Sequence, residues 1–287
     1  MSGTAYVNGR YLPYAEAGIH VEDRGFLFAD GVYEVVPVVN GRLMNLGHHL
    51  ERLARSLSEL RIAPPVAPAA LPLIMAELLR RNRLRTGRLY LQVTRGSSPR
   101  DFKFPKDVPP SLVMVTRSVP LNLSESVDQG VAVVSVPDIR WLRRDIKSVS
   151  LLPQVLAKQA AAEAGAFEAW MVDAEGFVTE GASSNAWIVT ADGALATRPA
   201  DNLILSGVTR RVVLDLVERL GLRFKMRAFS LAEAAAAREA FVTSAGTFVL
   251  PVASLDGRPV GDGRPGPVAL GLRRAYLSVL KAAAGLG

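Results

Sequence analysis

The sequence predicts a two-domain protein of mixed α/β and α+β class. Three observations carry that prediction. The chain has 287 residues, more than one small hydrophobic core needs and enough for two. Strand-like and helix-like periodicities alternate irregularly and are joined by many hairpin signals, unlike the regular alternation behind a doubly wound parallel sheet. The periodicity lapses in "VPLNLSESVDQ", which reads as a linker over 119–129 between an N-terminal domain, 1–118, and a C-terminal one, 130–287.

In the N-terminal part, "YVNGRYL" and "VYEVVPVVNGRLMNL" each set an Asn-Gly pair between short β-prone runs. Asn-Gly supplies the positive φ angles of a two-residue hairpin turn. "HHLERLARSLSELRI" puts Leu50, Leu53, Leu57 and Leu60 on one helical face, and "LPLIMAELLRRNRL" reads as a second helix. "RLYLQVTRG" and "SLVMVTRSV" read as strands joined by "GSSPRDFKFPKDVPP", a long irregular loop of functional character. Beyond the linker come the strand "VAVVSV" and a helix from about Leu151 to Gly165. Two hairpins follow, "EAWMVDAEGFVTEG" and "NAWIVTADGALATR", the second turning at Asp192-Gly193. "SGVTRRVVLDLVERLG" is an amphipathic helix with Ser206 as its predicted N-cap. An alanine-rich helix near 232–240, the strand "AFVTS" and the helix "ALGLRRAYLSVLKAA" complete the chain.

Composition narrows the chemistry. Without cysteine there is no disulfide, thiolate metal site or Cys nucleophile, and three histidines, two of them adjacent, do not suggest a zinc site. The net charge of +7 comes from arginines scattered over amphipathic segments rather than gathered in one tract, which argues against a nucleic-acid protein. No apolar run approaches the ~20 residues of a membrane span, and the N-terminus has no signal-peptide pattern. A cytoplasmic protein without membrane or nucleic-acid partners is the expectation.

Of the 34 basic residues only six are lysines. One of them, Lys147, lies between a strand's carboxyl end and a helix, where α/β sites often open. As an ordinary residue it would be a snorkelling lysine. Partly desolvated, with Arg143 and Arg144 close by, it would instead be a nucleophilic amine, a role closed to arginine. "VTEGASSNAW" is either a plain turn or a site in which Glu180 faces a space cleared of bulk. "LSGVTRRVVLDL" opens a helix whose N–H groups suit an anion, and Gly207 permits a close approach to the backbone. "TSAGTF" is a small hydroxyl-rich turn. Arg52 borders an apolar helical stripe, from which it can clasp an oxyanion bidentately. Jointly these are the parts that pyridoxal phosphate requires: a lysine for its aldehyde, an acid for its ring nitrogen, and an arginine with helix N–H groups for its phosphate.

The ordered pieces "FADGVYEVV", "HLERL", "LQVTRGSSPR", "DIRWLRRDIKSVSLL", "LAKQ", "VTEGASSN", "LSGVTR" and "FVTSAGT…LPV" resemble the fold-type IV aminotransferases, and within them the D-amino acid aminotransferases. The resemblance implies a small N-terminal α/β domain, a larger C-terminal pseudo-barrel, pyridoxal 5′-phosphate as cofactor and a homodimer. It implies Lys147 as the Schiff-base lysine and catalytic acid–base, and Glu180 as partner of the pyridine nitrogen. Arg52, Val208, Thr209, Ser244 and Ala245 would hold the phosphate, and Leu205 would lie against the ring. Tyr33 and Arg100 would trap the substrate carboxylate, Arg100 on a loop that reaches the partner subunit's site. Those enzymes usually place a histidine where this chain has Phe102, which bears on the substrate. Phe26, Phe28 and Phe102 suggest tolerance of hydrophobic side chains. The alternatives within the fold are a branched-chain L-amino acid aminotransferase, an aminodeoxychorismate lyase and an (R)-amine transaminase.

Overall fold

The computed structural model describes residues 3–286. Cα packing divides the chain into two units. The first runs through Leu121 and also includes Ile146–Ser150 and Ala283–Leu286; the second comprises Asn122–Asp145 and Leu151–Ala282. The stretch 119–129 contains no helix or strand.

In the first unit the predicted turns form as their chemistry requires. Asn8 and Gly9 take φ of 45° and 89° between β1 (Thr4–Val7) and β2 (Arg10–Pro13). A short helix, α1 (Arg24–Phe28), follows, capped by the Asp23 carboxylate, which accepts from the Gly25 N–H. Asn40 and Gly41, at 51° and 75°, then join β3 (Gly31–Val39) to β4 (Arg42–Leu43). Two helices come next, α2 (Leu46–Glu59) and α3 (Ala70–Arg81), then β5 (Gly87–Thr94) and β6 (Ser111–Arg117). The strands form one antiparallel sheet in the order β2-β1-β6-β5-β3-β4. Its alternate residues Leu89, Leu91 and Val93 share a core with Leu53 and Leu57 of α2 and Met75 and Leu78 of α3. Leu50 and Leu60 are only partly buried, at the rim of that core.

The second unit contains β7 (Val131–Pro137), α4 (Leu152–Glu163), β8 (Glu168–Val172), β9 (Val178–Gly181), β10 (Asn185–Val189) and β11 (Leu195–Thr197). After these come α5 (Val208–Arg219), β12 (Phe224–Met226), α6 (Leu231–Ala235), β13 (Glu239–Ser244), β14 (Phe248–Leu255), β15 (Arg258–Pro259) and α7 (Pro267–Ala283). The sheet order is β12-β11-β10-β13-β14-β7-β8-β9, with β15 on β14. β9 returns beside β10, so the sheet curls into a half-barrel around buried Trp170, Ile188 and Val242. This is the larger, barrel-like unit that the resemblance implied.

Two local expectations are corrected. The alanine-rich helix ends at Ala235, and residue 239 is already strand. There the Glu239 carboxylate accepts the Val268 and Ala269 N–H groups at the start of α7, a tertiary tie that overrides alanine's helix preference. Ser206 is not the cap of α5: Gly207 is, with extended φ and ψ of −64° and 136° and no side-chain cap bond. Its missing Cβ leaves room for the Asn185 carboxamide oxygen, the close approach that its glycine allowed. Among the described residues no helix is long and apolar enough to cross a membrane.

Candidate active site

The second unit gathers its site residues around Asn185. This residue opens β10 opposite Thr243 of β13, the neighbour of Ser244. Its carboxamide nitrogen donates to Glu180 Oε2 at 2.8 Å and to the Leu205 carbonyl at 2.9 Å. One asparagine thereby ties the acid at the end of β9 to the loop leading into α5. The Leu205 N–H returns the tie, donating to both Glu180 oxygens at 3.1 Å. Arg140 Nη1 adds a third donor at 2.5 Å. Glu180 is buried. Burial pushes its carboxyl above the usual carboxylate range, and the Arg140 guanidinium pulls the other way. The same guanidinium donates to Asp138 through Nε at 2.9 Å and Nη2 at 2.8 Å, and Thr179 donates to Asp138 at 2.6 Å. Burial opposes the Asp138 charge, yet Arg140 and Thr179 outweigh it and hold this carboxyl below its ordinary value.

Val208 and Thr209 are buried at the start of α5. The first N–H groups of a helix have no partner inside it, and no described residue supplies one for these two. In the turn after β13, the Ser244 hydroxyl accepts from the Gly246 and Thr247 N–H groups at 3.3 and 3.2 Å and pairs with the Thr247 hydroxyl at 2.7 Å. It is committed to shaping the turn, in which Ala245 sits half-buried.

The first unit gathers Lys147, Tyr33 and Arg52. Lys147 follows β7 in the chain and precedes α4. The segment Ile146–Ser150 belongs to the first unit and lies along β3. The Tyr33 N–H donates to the Lys147 carbonyl at 3.0 Å, and the Val149 N–H donates to the Gly31 carbonyl at 3.0 Å. The Lys147 N–H donates to Ser56 Oγ of α2 at 3.3 Å. Its Nζ lies 4.2 Å from the centroid of the Tyr33 ring. The expected flanking cations are already engaged within the second unit, Arg143 with Asp145 and Arg144 with Asp138.

Arg52 does clasp an oxyanion bidentately, and that oxyanion is Glu34 of β3, through Nε at 2.7 Å and Nη2 at 2.8 Å. His49 Nδ1 lies 2.7 Å from the same carboxylate. Burial works against the Glu34 charge, but Arg52 and His49 prevail and lower it to about 2. Burial pushes the His49 imidazole below its usual value, against the pull of Glu34. With a neutral imidazole, the cluster of one carboxylate and one guanidinium adds no net charge at neutral pH.

Arg100 and Phe102 sit exposed on the 96–110 loop, where the Arg100 guanidinium stacks 5.2 Å from the Phe28 ring and 5.3 Å from the Phe102 ring. Sequence reading did not single out Glu34, His49, Asp138 or Arg140, and it took Asn185 for a turn former. Glu34 and Arg140 carry the only available signal, a charge inside an otherwise apolar strand or beside an apolar run.

The family model for amino-transferase class IV matches residues 31–255. The D-alanine aminotransferase of Bacillus licheniformis is 42% identical over 93% of this chain and 94% of its own. That of Staphylococcus haemolyticus is 38% identical over 94% and 95%. Among solved structures, the T.th. branched-chain amino acid aminotransferase with pyridoxamine 5′-phosphate superposes with a TM-score of 0.90 at 27% identity, over 100% of this chain and 96% of that one. The branched-chain enzyme from Escherichia coli, at 22% identity over 98% and 95%, shares the fold with a TM-score of 0.88. By the family match and these identities over nearly its whole length, the chain belongs to the class IV amino-transferases.

Proposed function

We propose that this class IV amino-transferase uses pyridoxal 5′-phosphate to move the amino group of a D-amino acid, such as D-alanine or D-glutamate, to a 2-oxo acid. The observation that carries the reading is 38–42% identity to D-alanine aminotransferases over more than nine-tenths of the chain. The donor set fits the cofactor. A carboxylate offers about four acceptor sites; Arg140, Asn185 and Leu205 bring Glu180 three N–H groups, leaving room for a protonated ring nitrogen. Val208 and Thr209 offer helix N–H groups to a phosphate, joined by Arg52 and the Ser244–Ala245 turn, with Leu205 beside the ring. Lys147 would hold the cofactor through its ε-amine, whose described neighbour is the Tyr33 ring rather than a carboxylate.

The bound cofactor supplies an electron sink for the carbanion at the substrate's Cα. Lys147 takes the Cα proton and returns it at the far end of the transfer, as general base and then acid. Glu180, fixed by its three donors, keeps the ring nitrogen protonated without reorganising. Tyr33 and Arg100 receive the substrate's α-carboxylate, beside Phe102, in a homodimer whose Arg100 loop serves the partner's site. The exposure of that loop supports this part of the reading. The domain division 1–118, linker 119–129 and 130–287, and a cytoplasmic setting, complete the proposal.

Borohydride treatment of the purified holoenzyme should fix the cofactor to Lys147 by mass mapping. Lys147→Ala should show no such adduct and should lose more than about a thousandfold in turnover. An adduct elsewhere, or near-native turnover, overturns the assignment. Activity on D-alanine with 2-oxoglutarate should exceed that on L-leucine. The reverse preference would favour the branched-chain reading, to which Phe102 in place of a histidine lends its weight.

A further inference from the structure

We infer that Arg24 is the positioning residue for Arg100, presetting the guanidinium for the substrate carboxylate from a buried anchor beneath the loop; this rests on the reading of Arg100 given above. Arg24 is 3% exposed, on α1. Its Nε donates to Asp30 Oδ2 at 2.9 Å and its Nη1 donates to the Asp101 carbonyl at 2.6 Å. Its guanidinium also lies 4.7 Å from the centroid of Phe28. That ring is shared: Arg100 stacks on it at 5.2 Å, and Phe102 packs on it at 5.4 Å with the planes at 49°. Arg24 therefore touches the loop immediately after Arg100 through the backbone, and reaches Arg100 itself through one intervening ring.

The loop is fastened a second time, again through Asp30. Arg95 clasps that carboxylate at 2.7 and 2.9 Å, and its guanidinium lies 3.6 Å from the Phe104 ring. Arg95 is itself held by the Leu60 and Arg61 carbonyls at 2.8 and 2.9 Å. Both fastenings of the otherwise exposed stretch Arg100–Phe104 thus lead to one half-buried carboxylate. Arg100 has no hydrogen-bond or ion-pair partner among the described residues, so rings and backbone anchoring alone orient it. A long side chain already confined before binding loses less freedom when a ligand arrives. The assignment also explains why position 24 is an arginine. Carboxylate, carbonyl and ring are met at once by a planar fork with a stacking face, which lysine lacks.

Arg24→Met, Phe28→Leu and Arg100→Met holoenzymes test the inference with D-alanine as substrate and propionate as competing carboxylate. In Arg24→Met, KM for D-alanine and Ki for propionate should rise together by about tenfold, the size of one lost charged hydrogen bond. kcat should stay within about twofold, as expected when only uniform binding is lost. Trypsin cleavage after Arg100 and Lys103 should quicken in parallel, because the Asp101 carbonyl is no longer held. Phe28→Leu leaves the Asp30 cluster intact and should shift KM and Ki the same way by a smaller factor, so it carries the test if Arg24→Met fails to fold. Arg100→Met sets the upper bound. If Arg100→Met raises KM and Ki while Arg24→Met and Phe28→Leu do not, the positioning role is refuted and the carboxylate reading stands. If Arg100→Met changes neither constant, both fall together. Equal losses in kcat and cofactor content would mark Arg24 as a fold residue only and also refute the inference.

Discussion

Replacing Glu34 by glutamine tests the first unit's buried cluster most directly. The carboxylate is 1% exposed and bonded by Arg52 at 2.7 and 2.8 Å and by His49 at 2.7 Å. Burial alone would raise its pKa, yet Arg52 and His49 bring it from 4.5 to about 2. That difference corresponds to about 3 kcal/mol of stability at pH 7. An independent route agrees: removing one partner of a buried ion pair costs about 3–5 kcal/mol, because the other charge stays behind unpaired. The sign follows from the depressed value. The contribution is complete above the unfolded-state pKa and fades as pH falls toward about 2, so at pH 3 about half of it remains. All three tryptophans, Trp141, Trp170 and Trp187, lie in the second unit, so fluorescence does not report on this one. Native-state hydrogen exchange of the β3 and β5 amides does. Glu34→Gln should lower their opening free energy by about 3 kcal/mol at pH 7 and by roughly half that at pH 3. A fall below about 1 kcal/mol at pH 7, or an equal fall at both pH values, would refute the reasoning.

Asn185→Ala removes the donor shared by Glu180 and the Leu205 carbonyl and should cost about 1–3 kcal/mol in urea unfolding followed by tryptophan fluorescence. Asn185→Asp should cost more, since it sets a second carboxylate against Glu180; equal or smaller loss would show that the tie does not matter. Arg273 is fully buried and donates to the carbonyls of Asn122, Ser124, Thr247 and Val249 at 2.6–3.2 Å. Arg273→Met strips all four acceptors and should cost more than about 3 kcal/mol while speeding proteolysis between Asn122 and Gln129. Native-like resistance there would mean that this guanidinium does not hold the stretch.

What was legible in the sequence is what local physics decides. Asn8-Gly9 and Asn40-Gly41 take up positive φ at little cost, and the leucine spacing of α2 marks the face that buries Leu53 and Leu57. The departures all have distant causes. Gly207 displaces Ser206 as cap because Asn185, 22 positions earlier in the chain, comes up against its backbone. The alanine-rich helix stops because Glu239 is needed at α7. The place of Lys147 is likewise set from afar: the Tyr33 N–H donates to the Lys147 carbonyl and the Val149 N–H to the Gly31 carbonyl, more than a hundred residues away. The charged residues of the site were visible, but their partners were not. A sequence prints Glu34 and Arg52 eighteen positions apart, with nothing to mark the strand and helix that bring them to 2.7 Å.

The chain's use of its two basic residue types becomes intelligible in that light. Arg140 uses Nε, Nη1 and Nη2 at once, bridging Asp138 and Glu180. Arg24 and Arg95 likewise each meet two or more partners from a rigid fork, and Arg52 takes both oxygens of one carboxylate. A lysine in any of these places would satisfy one direction and leave a buried carboxylate or carbonyl short. Lysines 158, 225 and 281 make single ion pairs near the surface, where a point charge suffices. Lys147 fits neither pattern: its backbone is pinned by β3 and α2, while its ammonium lies over an aromatic ring with no carboxylate for a partner among the described residues. An amine held in place by its main chain rather than by its charge keeps its position when it gives up its proton. Under the proposed function that is what position 147 requires, a group that alternates between nucleophile, base and acid, a part closed to arginine.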